Sequence, residues 1–232
     1  MDRKKFLKEG FLGLGAIVAL PSIIASCSGD NDPSENADGN GNCNVSPTET
    51  IGPFPIITPA QYVRASIIGD RSGIPLLMTL TIQDRSNGCT PLEGAYVDVW
   101  QCDKDGNYSQ YGGNQLQTTN YTAQNFLRGR QMTNASGQVS FITIFPGWYP
   151  GRAPHIHVHI YNGSGASLLV TQIAFPTAVY SSVYATNGYH GAPDRSNEQD
   201  SIFADSLNQN MADSLTGNTT DGYTLLKTIT VA

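Results

Sequence analysis

The sequence predicts an all-β fold, a β-sandwich with long loops and little helix. From residue 75 onward, short apolar or alternating segments are interrupted by glycine, proline, asparagine and aspartate, a pattern typical of strands joined by turns. Few stretches show helical periodicity. Residues 138–145 carry apolar side chains on both faces, as expected for a strand covered on both sides. The predicted strands are residues 76–82, 95–100, 138–145, 155–160, 168–175 and 224–231.

Residues 1–26 are predicted to be a lipoprotein signal peptide. They combine a basic start, an apolar run over residues 11–24 and small residues before Cys27, and the run is too short to span a bilayer comfortably. The sequence Ile-Ala-Ser-Cys at 24–27 resembles a bacterial lipobox. It implies cleavage before Cys27, lipid attachment there, and an exported protein anchored to the bacterial cell envelope. An ordinary signal peptide with an incidental cysteine is the alternative. The basic start resembles a twin-arginine signal with lysine at the second arginine, which leaves the export route open.

Residues 27–42 are predicted to form a flexible acidic tether. After Cys27 they are mainly Gly, Asn, Ser, Asp and Glu, and no aliphatic side chain is larger than that of Ala37. Such a segment buries too little apolar surface to offset the entropy lost on ordering. The remaining residues, 43–232, are long enough to bury one substantial core, and we expect a single domain there.

The charge of the chain argues against two classes of partner. The whole chain has 13 basic and 19 acidic residues, a formal net charge of −6. The segment before Cys27 holds four of the basic and two of the acidic residues, which leaves nine and 17, a net charge of −8. An acidic protein disfavours nucleic acid and anionic membrane surfaces. Membrane contact is therefore expected through the N-terminal lipid.

Three cysteines follow Cys27, in a compartment expected to be oxidising. An odd number allows one disulfide and one free thiol. Cys89 and Cys102 flank one predicted strand, and a rise of about 3.3 Å per residue separates them by more than the ~5.5 Å between Cα atoms that a disulfide needs. Cys43 is therefore expected to pair with Cys89 or with Cys102, and the sequence leaves both open. Three buried, reduced thiols are the alternative.

Two long polar segments, residues 108–125 and 186–198, are predicted to be loops around an active site. Both are too long for hairpins and too polar for a core. The alternative is that these segments only cover an edge of a sheet and take no part in a site. One helical pattern lies at residues 200–211, where Ile202, Phe203 and Leu207 form a modest apolar stripe, and we interpret it as packing.

Three histidines alternate along the predicted strand at residues 155–160. A period of two places His155, His157 and His159 on one face and the intervening Ile and Val side chains on the core-facing side. Alternate residues are about 6.6 Å apart at the backbone, which lets two rings converge on one metal. His155 and His159 are about twice as far apart, so three rings do not easily share it. Solvent-facing histidines without a ligand role are the alternative.

Residues 146–154 contain three prolines and two glycines, which fix a tight path into the histidine strand and so position Tyr149 and Arg152. A rigid loop suits a metal ligand. Tyr108 follows the predicted strand 95–100 and a turn at 103–106, at a sandwich edge from which its side chain can reach across. Either tyrosine alone is more often a half-buried aromatic residue with a solvated hydroxyl.

Together these residues resemble the intradiol ring-cleavage dioxygenases, relatives of the protocatechuate 3,4-dioxygenase β chain. The resemblance extends from about Thr48 to the C-terminus, and the segment 149–157 is its most specific part. The motifs are Thr-Glu-Thr-Ile-Gly-Pro-Phe at 48–54, Asp-Gly-Asn-Tyr-Ser at 105–109, Arg-Gly at 128–129, Pro-Gly-Trp-Tyr-Pro-Gly-Arg at 146–152 and His-Ile-His at 155–157.

The resemblance implies a non-haem Fe(III) site. Its four metal ligands would be Tyr108, Tyr149, His155 and His157. Arg152 would lie beside the substrate, Gln172 would assist there, and His159 and His190 gain no ligand role. Phenolates are hard anionic donors, and two of them favour Fe(III) over softer or divalent ions.

The implied activity is cleavage of a catechol-type aromatic by O₂, between its two hydroxylated carbons, to a cis,cis-muconate-type product. Tyr149 would act as a base as well as a ligand, and Arg152 would stabilise negative charge. The expected partners are a catechol-type substrate and O₂. Related enzymes often pair α- and β-type chains, but this chain holds a complete ligand set of its own, so a homo-oligomer is the expectation. Two alternatives without catalysis are an exported β-sandwich module that binds aromatics or glycans, and a structural adhesion domain.

Overall fold

The computed structural model describes residues 43–232. The predicted signal peptide (1–26), Cys27 and the predicted tether (27–42) lie outside the described residues. Within them the chain forms mainly strands, which confirms the predicted all-β class. The strands are β1 (Pro75–Asp84), β2 (Thr90–Pro91), β3 (Tyr96–Trp100), β4 (Arg128–Met132), β5 (Gln138–Ile144), β6 (His155–Tyr161), β7 (Ser167–Ala174), β8 (Ser214–Asn218) and β9 (Gly222–Val231). The α-helices are α1 (Thr177–Tyr184) and α2 (Leu207–Asn210).

The strands form two sheets. The first has the order β2-β1-β9-β8, and β5 also pairs with β1. Strands β1 and β9 run parallel, whereas the other pairs of this sheet are antiparallel. The second sheet has the order β4-β3-β6-β7 and is antiparallel throughout.

The two sheets bury a common apolar core between their facing surfaces. Alternate residues of β1 are buried, as the period of two requires. Burying one such aliphatic side chain contributes about 1.5–3 kcal/mol. The core side chains include Leu76, Met78, Leu80 and Ile82 from the first sheet and Val97, Val99, Ile156, Val158 and Ile160 from the second. The inner face of the second sheet is thus committed to packing, which leaves its outer face for polar groups.

The helices differ from the sequence-based expectation. Helix α1 was not predicted, because Thr177–Tyr184 is rich in Val, Thr and Tyr, which favour strands. The predicted helix at 200–211 is helical only at Leu207–Asn210, and residues 201–206 form turns. The N–H groups of Phe203 and Ser206 donate to the carbonyl oxygens three residues before them, so this segment forms successive tight turns rather than an α-helix. Among residues 43–232, no helix has the length and apolar character needed to cross a membrane.

A disulfide joins Cys43 to Cys89, 46 residues apart, and Cys102 is a buried free thiol. The prediction that Cys43 forms the bridge is confirmed, and its partner is Cys89. The bridge ties the start of the described chain to the turn between β1 and β2.

Replacing Cys43 and Cys89 by serine is expected to lower the free energy of unfolding by up to about 4 kcal/mol, the loop-entropy value for a closed loop of this length. Urea unfolding of the wild type with and without reductant provides the measurement, and reductant should have no further effect on the double variant. Equal midpoints for the oxidised wild type and the double variant would contradict this expectation.

Candidate metal centre

The candidate site lies on the outer face of the second sheet. The strand register aligns Arg128, Trp100, His157 and Gln172 in one row across β4, β3, β6 and β7. The neighbours of His157 along β6, Ile156 and Val158, belong to the core. Because successive side chains of a strand point to opposite faces, the row points away from the core.

His155 and His157 bring their rings together at the start of β6. Their Nε2 atoms are 3.1 Å apart. His155 Nδ1 lies 2.7 Å from the carbonyl oxygen of Ala153, which can only accept a hydrogen bond, so Nε2 of the neutral ring carries a lone pair. Burial lowers the pKa of both imidazoles well below the ordinary value, and the charge of Arg152 lowers both further. Both rings are therefore neutral at pH 7 and able to bind a metal.

Two neighbours fix the orientation of the His157 ring. The ring stacks on Trp100 with centroids 4.8 Å apart and an interplanar angle of 3°. Gly52 lies against it, and a Cβ atom at that position would be 2.8 Å from His157 Cε1. The Nδ1 atom of His157 is buried and has no hydrogen-bond partner in the part of the chain that the structure describes. The ring is thus oriented by packing, with Nε2 toward His155.

Tyr108 and Tyr149 present phenol groups from the loops after β3 and β5. The Tyr108 backbone is held by Gln117, which accepts from the Tyr108 N–H at 2.6 Å and donates to its carbonyl oxygen at 2.8 Å. Tyr108 is fully buried, and Tyr149 is half-buried. Burial raises the pKa of both phenols, that of Tyr108 well above the ordinary value. Neither phenol ionises at neutral pH unaided, whereas coordination to a highly charged cation would ionise it.

Each of the four aromatic rings, those of Tyr108, Tyr149, His155 and His157, is a neighbour of two of the others, so the four form a closed loop that we call the circuit. The centroid separations are 5.7 Å from Tyr108 to Tyr149, 5.5 Å from Tyr149 to His155, 4.7 Å from His155 to His157 and 6.4 Å from His157 back to Tyr108. The structure therefore brings together all four side chains that the sequence singled out as metal ligands.

The donor set fits a ferric ion. The buried Tyr108 hydroxyl has no hydrogen-bond partner among residues 43–232, a condition that costs about 1–3 kcal/mol and that coordination would relieve. Two phenol oxygens and two imidazole nitrogens suit a hard trivalent ion. Among the described residues, no group of three or more His, Cys, Asp or Glu side chains could hold a metal. The site proposed here differs from such a group in that two of its four donors are tyrosines.

Arg152 is a fixed cation beside the four rings. Its Nε donates to both carboxylate oxygens of Asp200, at 3.0 and 2.8 Å, and its Nη2 donates to Gln172 Oε1 at 2.5 Å. Its Nη1 lies 3.4 Å from Tyr149 Oη and 3.4 Å from His155 Nε2. The guanidinium therefore touches the Tyr149 and His155 side of the circuit while Asp200 and Gln172 hold it in position.

Asp200 is a site residue that sequence reasoning missed. It is fully buried and, besides Arg152, accepts the backbone N–H groups of Ala153 at 2.8 Å and Ile202 at 3.0 Å. It therefore ties the start of β6 to the segment before α2. The sequence held no direct signal for this role, because Asp200 is 48 residues from Arg152 and stands at the start of a segment interpreted as packing.

The 48–54 segment, one of the recognised motifs, covers part of the site. The Phe54 ring stacks on Tyr108 at 4.8 Å and contacts the edge of Tyr149 at 5.8 Å. Gln172 Nε2 donates to the carbonyl oxygen of Thr50 at 2.9 Å. The segment thus shields the tyrosine side of the circuit from water and connects it to the Arg152 network.

His159, His190 and Cys102 do not join the circuit. His159 contacts Ser167 Oγ and Tyr161 Oη, both at 2.8 Å. His190 is exposed and packs against Trp148. Cys102 is buried near Tyr108, and burial raises the pKa of its thiol, so it is neutral. His159 and His190 thus lie apart from the four rings.

Gly52→Ala is expected to weaken Fe(III) binding about 10- to 100-fold, the usual effect of disturbing the surroundings of a metal ligand. The new Cβ would push on the His157 ring. Competition with a chelator measures the affinity. Gly165→Ala is the matched control, because Gly165 has φ +87 against +73 for Gly52 but its Cβ would meet no atom within 4 Å. Equal losses of Fe(III) affinity in the two variants would show that backbone strain, and not contact with the His157 ring, causes the effect.

A family model described as Dioxygenase matches residues 58–184, more than half of the chain. The protocatechuate 3,4-dioxygenase β chain of Burkholderia cepacia is 34% identical over 119 residues, which cover 46% of this chain and 48% of the relative. Chlorocatechol 1,2-dioxygenase of Rhodococcus opacus is 31% identical over 151 residues, which cover 53% of this chain and 54% of the relative. The chain spans about half the length of these curated relatives.

Solved structures extend the likeness over most of the chain. An intradiol ring-cleavage dioxygenase from Tetranychus urticae is 32% identical with a TM-score of 0.72, over 82% of this chain and 95% of the other. The dioxygenase domain of a carbohydrate-binding fusion protein from Streptomyces sp. SirexAA-E is 26% identical with a TM-score of 0.59, over 81% and 97%. The chain belongs to the intradiol ring-cleavage dioxygenase family.

Proposed function

We propose that this chain is a non-haem Fe(III) dioxygenase that cleaves a catechol-type aromatic with O₂ between its two hydroxylated carbons, to a cis,cis-muconate-type product. The observation that carries the proposal is the closed circuit of Tyr108, Tyr149, His155 and His157 around an unpartnered phenol hydroxyl. Curated relatives named for protocatechuate, chlorocatechol and hydroxyquinol support an aromatic diol as the substrate.

The four ring side chains would hold the ferric ion. When bound, the ion would supply the redox chemistry that makes a ring carbon of the diol reactive toward O₂. Both oxygen atoms enter the product, so the reaction needs no external reductant. The protein itself has to bind and orient the diol, accept its protons and keep water out.

Tyr149 is the residue suited to accept a substrate proton. Its side chain is the more exposed of the two tyrosines, and its Oη lies 3.4 Å from Arg152 Nη1. Burial raises the pKa of Tyr149, with Arg152 opposing that shift. A Tyr149 phenolate that is no longer bound to the ion would therefore be able to accept a proton from a catechol hydroxyl.

Arg152 is the residue suited to stabilise negative charge on the substrate. Its guanidinium is fixed by Asp200 and Gln172, so it needs little reorganisation when charge develops. Gln172 orients Arg152 from the same sheet row as His157 and also binds the 48–54 segment. Phe54 and Trp100 limit access of water to the rings.

We also propose that the protein is exported and anchored to the cell envelope by lipid on Cys27. That residue lies outside the described part of the chain. The Cys43–Cys89 disulfide supports the proposal, because disulfides persist in oxidising compartments. The homo-oligomer stays a prediction.

Loading the mature protein with Fe(III) is expected to give a tyrosinate-to-iron charge-transfer band in the visible spectrum. Catechols should then be cleaved with consumption of one O₂ per ring, measured with an oxygen electrode and by product identification. His157→Gln should abolish both signals, because it removes a proposed ligand. His159→Gln is the matched control on the same strand and should keep them. A colourless, inactive wild type would contradict the proposal, and catechol binding without O₂ uptake would favour the binding module.

Asp200→Asn is expected to lower kcat about 10- to 100-fold while the charge-transfer band stays close to that of the wild type. The reason is that Arg152 would lose its ion pair with Asp200, whereas the four rings that would hold the ion are unchanged. Steady-state kinetics measure kcat and KM separately. Asp213→Asn removes the partly exposed ion pair with Lys227 and should leave kcat unchanged. An unaltered kcat in Asp200→Asn would show that the orientation of Arg152 does not limit the reaction.

A further inference from the structure

Arg128 is a buried cation whose hydrogen bonds all go to neutral oxygens. It is 0% exposed, and it forms no ion pair with any carboxylate of residues 43–232. Its Nε donates to Ser109 Oγ at 3.0 Å, its Nη2 to the Ser109 carbonyl at 2.6 Å and its Nη1 to the Phe54 carbonyl at 3.0 Å. By contrast, Arg130 on the same strand pairs with Asp98 at 2.5 Å. A guanidinium without a counter-ion is costly to bury, so Arg128 calls for an explanation.

The aromatic neighbours of Arg128 indicate where a negative charge could form. The guanidinium carbon lies 5.8 Å from the ring centre of Tyr108 and 5.4 Å from that of Tyr111. The Tyr111 hydroxyl donates to the carbonyl oxygen of Pro55 at 2.9 Å and so keeps its proton. The Tyr108 hydroxyl has no such partner. Burial lowers the pKa of Arg128 to about 10, so it remains a cation at neutral pH.

The hydrogen bonds of Arg128 also fix the surroundings of the Tyr108 ring. Ser109 follows Tyr108 directly, so the bonds to Ser109 restrain the backbone that carries the phenol. Phe54, whose carbonyl accepts the third bond, stacks its ring on Tyr108 at 4.8 Å. Arg128 thus links β4 to Tyr108 and to its stacking partner.

We propose that Arg128 is a positioning residue for Tyr108, which it holds through Ser109 and Phe54 and whose phenolate it balances with a buried positive charge. The inference rests on the proposed function, because Tyr108 becomes a phenolate only as a metal ligand. It extends the proposed site to a strand, β4, that contributes no metal ligand.

The test compares Arg128→Lys, which keeps the positive charge, with Arg128→Gln, which removes it. Both variants are studied as the Fe(III)-loaded mature protein. In Arg128→Gln the charge-transfer band should move to longer wavelength, because losing a nearby cation raises the energy of the phenolate electrons. Its Fe(III) affinity should fall about 10- to 100-fold. Arg128→Lys should keep the wild-type band. Arg64→Gln is the control, since Arg64 also donates to backbone oxygens of this region, that of Arg128 included, and should leave the band unchanged.

The outcomes separate the two proposals. A wild-type band and affinity in Arg128→Gln, or equal shifts in the Lys and Gln variants, would overturn the role of Arg128 and leave the ferric function intact. A wild type that binds no Fe(III) and shows no band would overturn both. If Arg128→Gln fails to fold, Arg128→Met serves as a second uncharged variant, and thermal unfolding of each protein identifies losses due to misfolding.

Discussion

The alternation of β6 between two faces is the constraint on which the rest of the site depends. Ile156, Val158 and Ile160 bind the second sheet to the core, and the same period of two puts His155 and His157 outside it. A slip of one residue would bury imidazoles among aliphatic side chains and expose the isoleucines, so the apolar face holds the register that the chemistry needs. Pairing with β3 and β7 then fixes which side chains flank the histidines, Trp100 on one side and Gln172 on the other.

Burial governs the electrostatics of the site. It keeps the two imidazoles neutral and both phenols protonated when no cation is bound, while Arg128 stays charged. Asp200 is the counter-ion of Arg152, and Arg128 has no counter-ion among the described residues. The buried side chains therefore leave an excess of positive charge beside Tyr108, and such an excess favours anionic species, whether phenolate or catecholate. The same burial that makes the two phenols hard to ionise would also strengthen the attraction between their anions and the trivalent ion of the proposed function.

The sequence predicted the parts of the fold and site that local pattern encodes. Apolar alternation predicted the strands that face the core. The proline- and glycine-rich path into β6 predicted a rigid position for Tyr149 and Arg152, and the family resemblance supplied their roles. Strand β4 was missed because two of its five residues are arginines, one turned toward the site and one paired with Asp98. Asp200, and the choice of Cys89 as the partner of Cys43, depend on contacts between distant segments, which local periodicity does not record.

The two tyrosines are held with different firmness, and this difference suits them to different roles. Tyr108 is fixed by Gln117 at its backbone, by Phe54 on its ring and by Arg128 through Ser109. Among the described residues, the Tyr149 hydroxyl has one hydrogen-bond neighbour, Arg152 at 3.4 Å, and the Tyr149 side chain is half-buried on a loop. Moving the Tyr108 backbone would break the buried hydrogen bonds to Gln117, whereas rotating the Tyr149 side chain would break one long contact of its hydroxyl. In the proposed function, Tyr149 is therefore the tyrosine suited to move and to accept a proton from the diol, and Tyr108 is the one suited to stay in place and hold the ion.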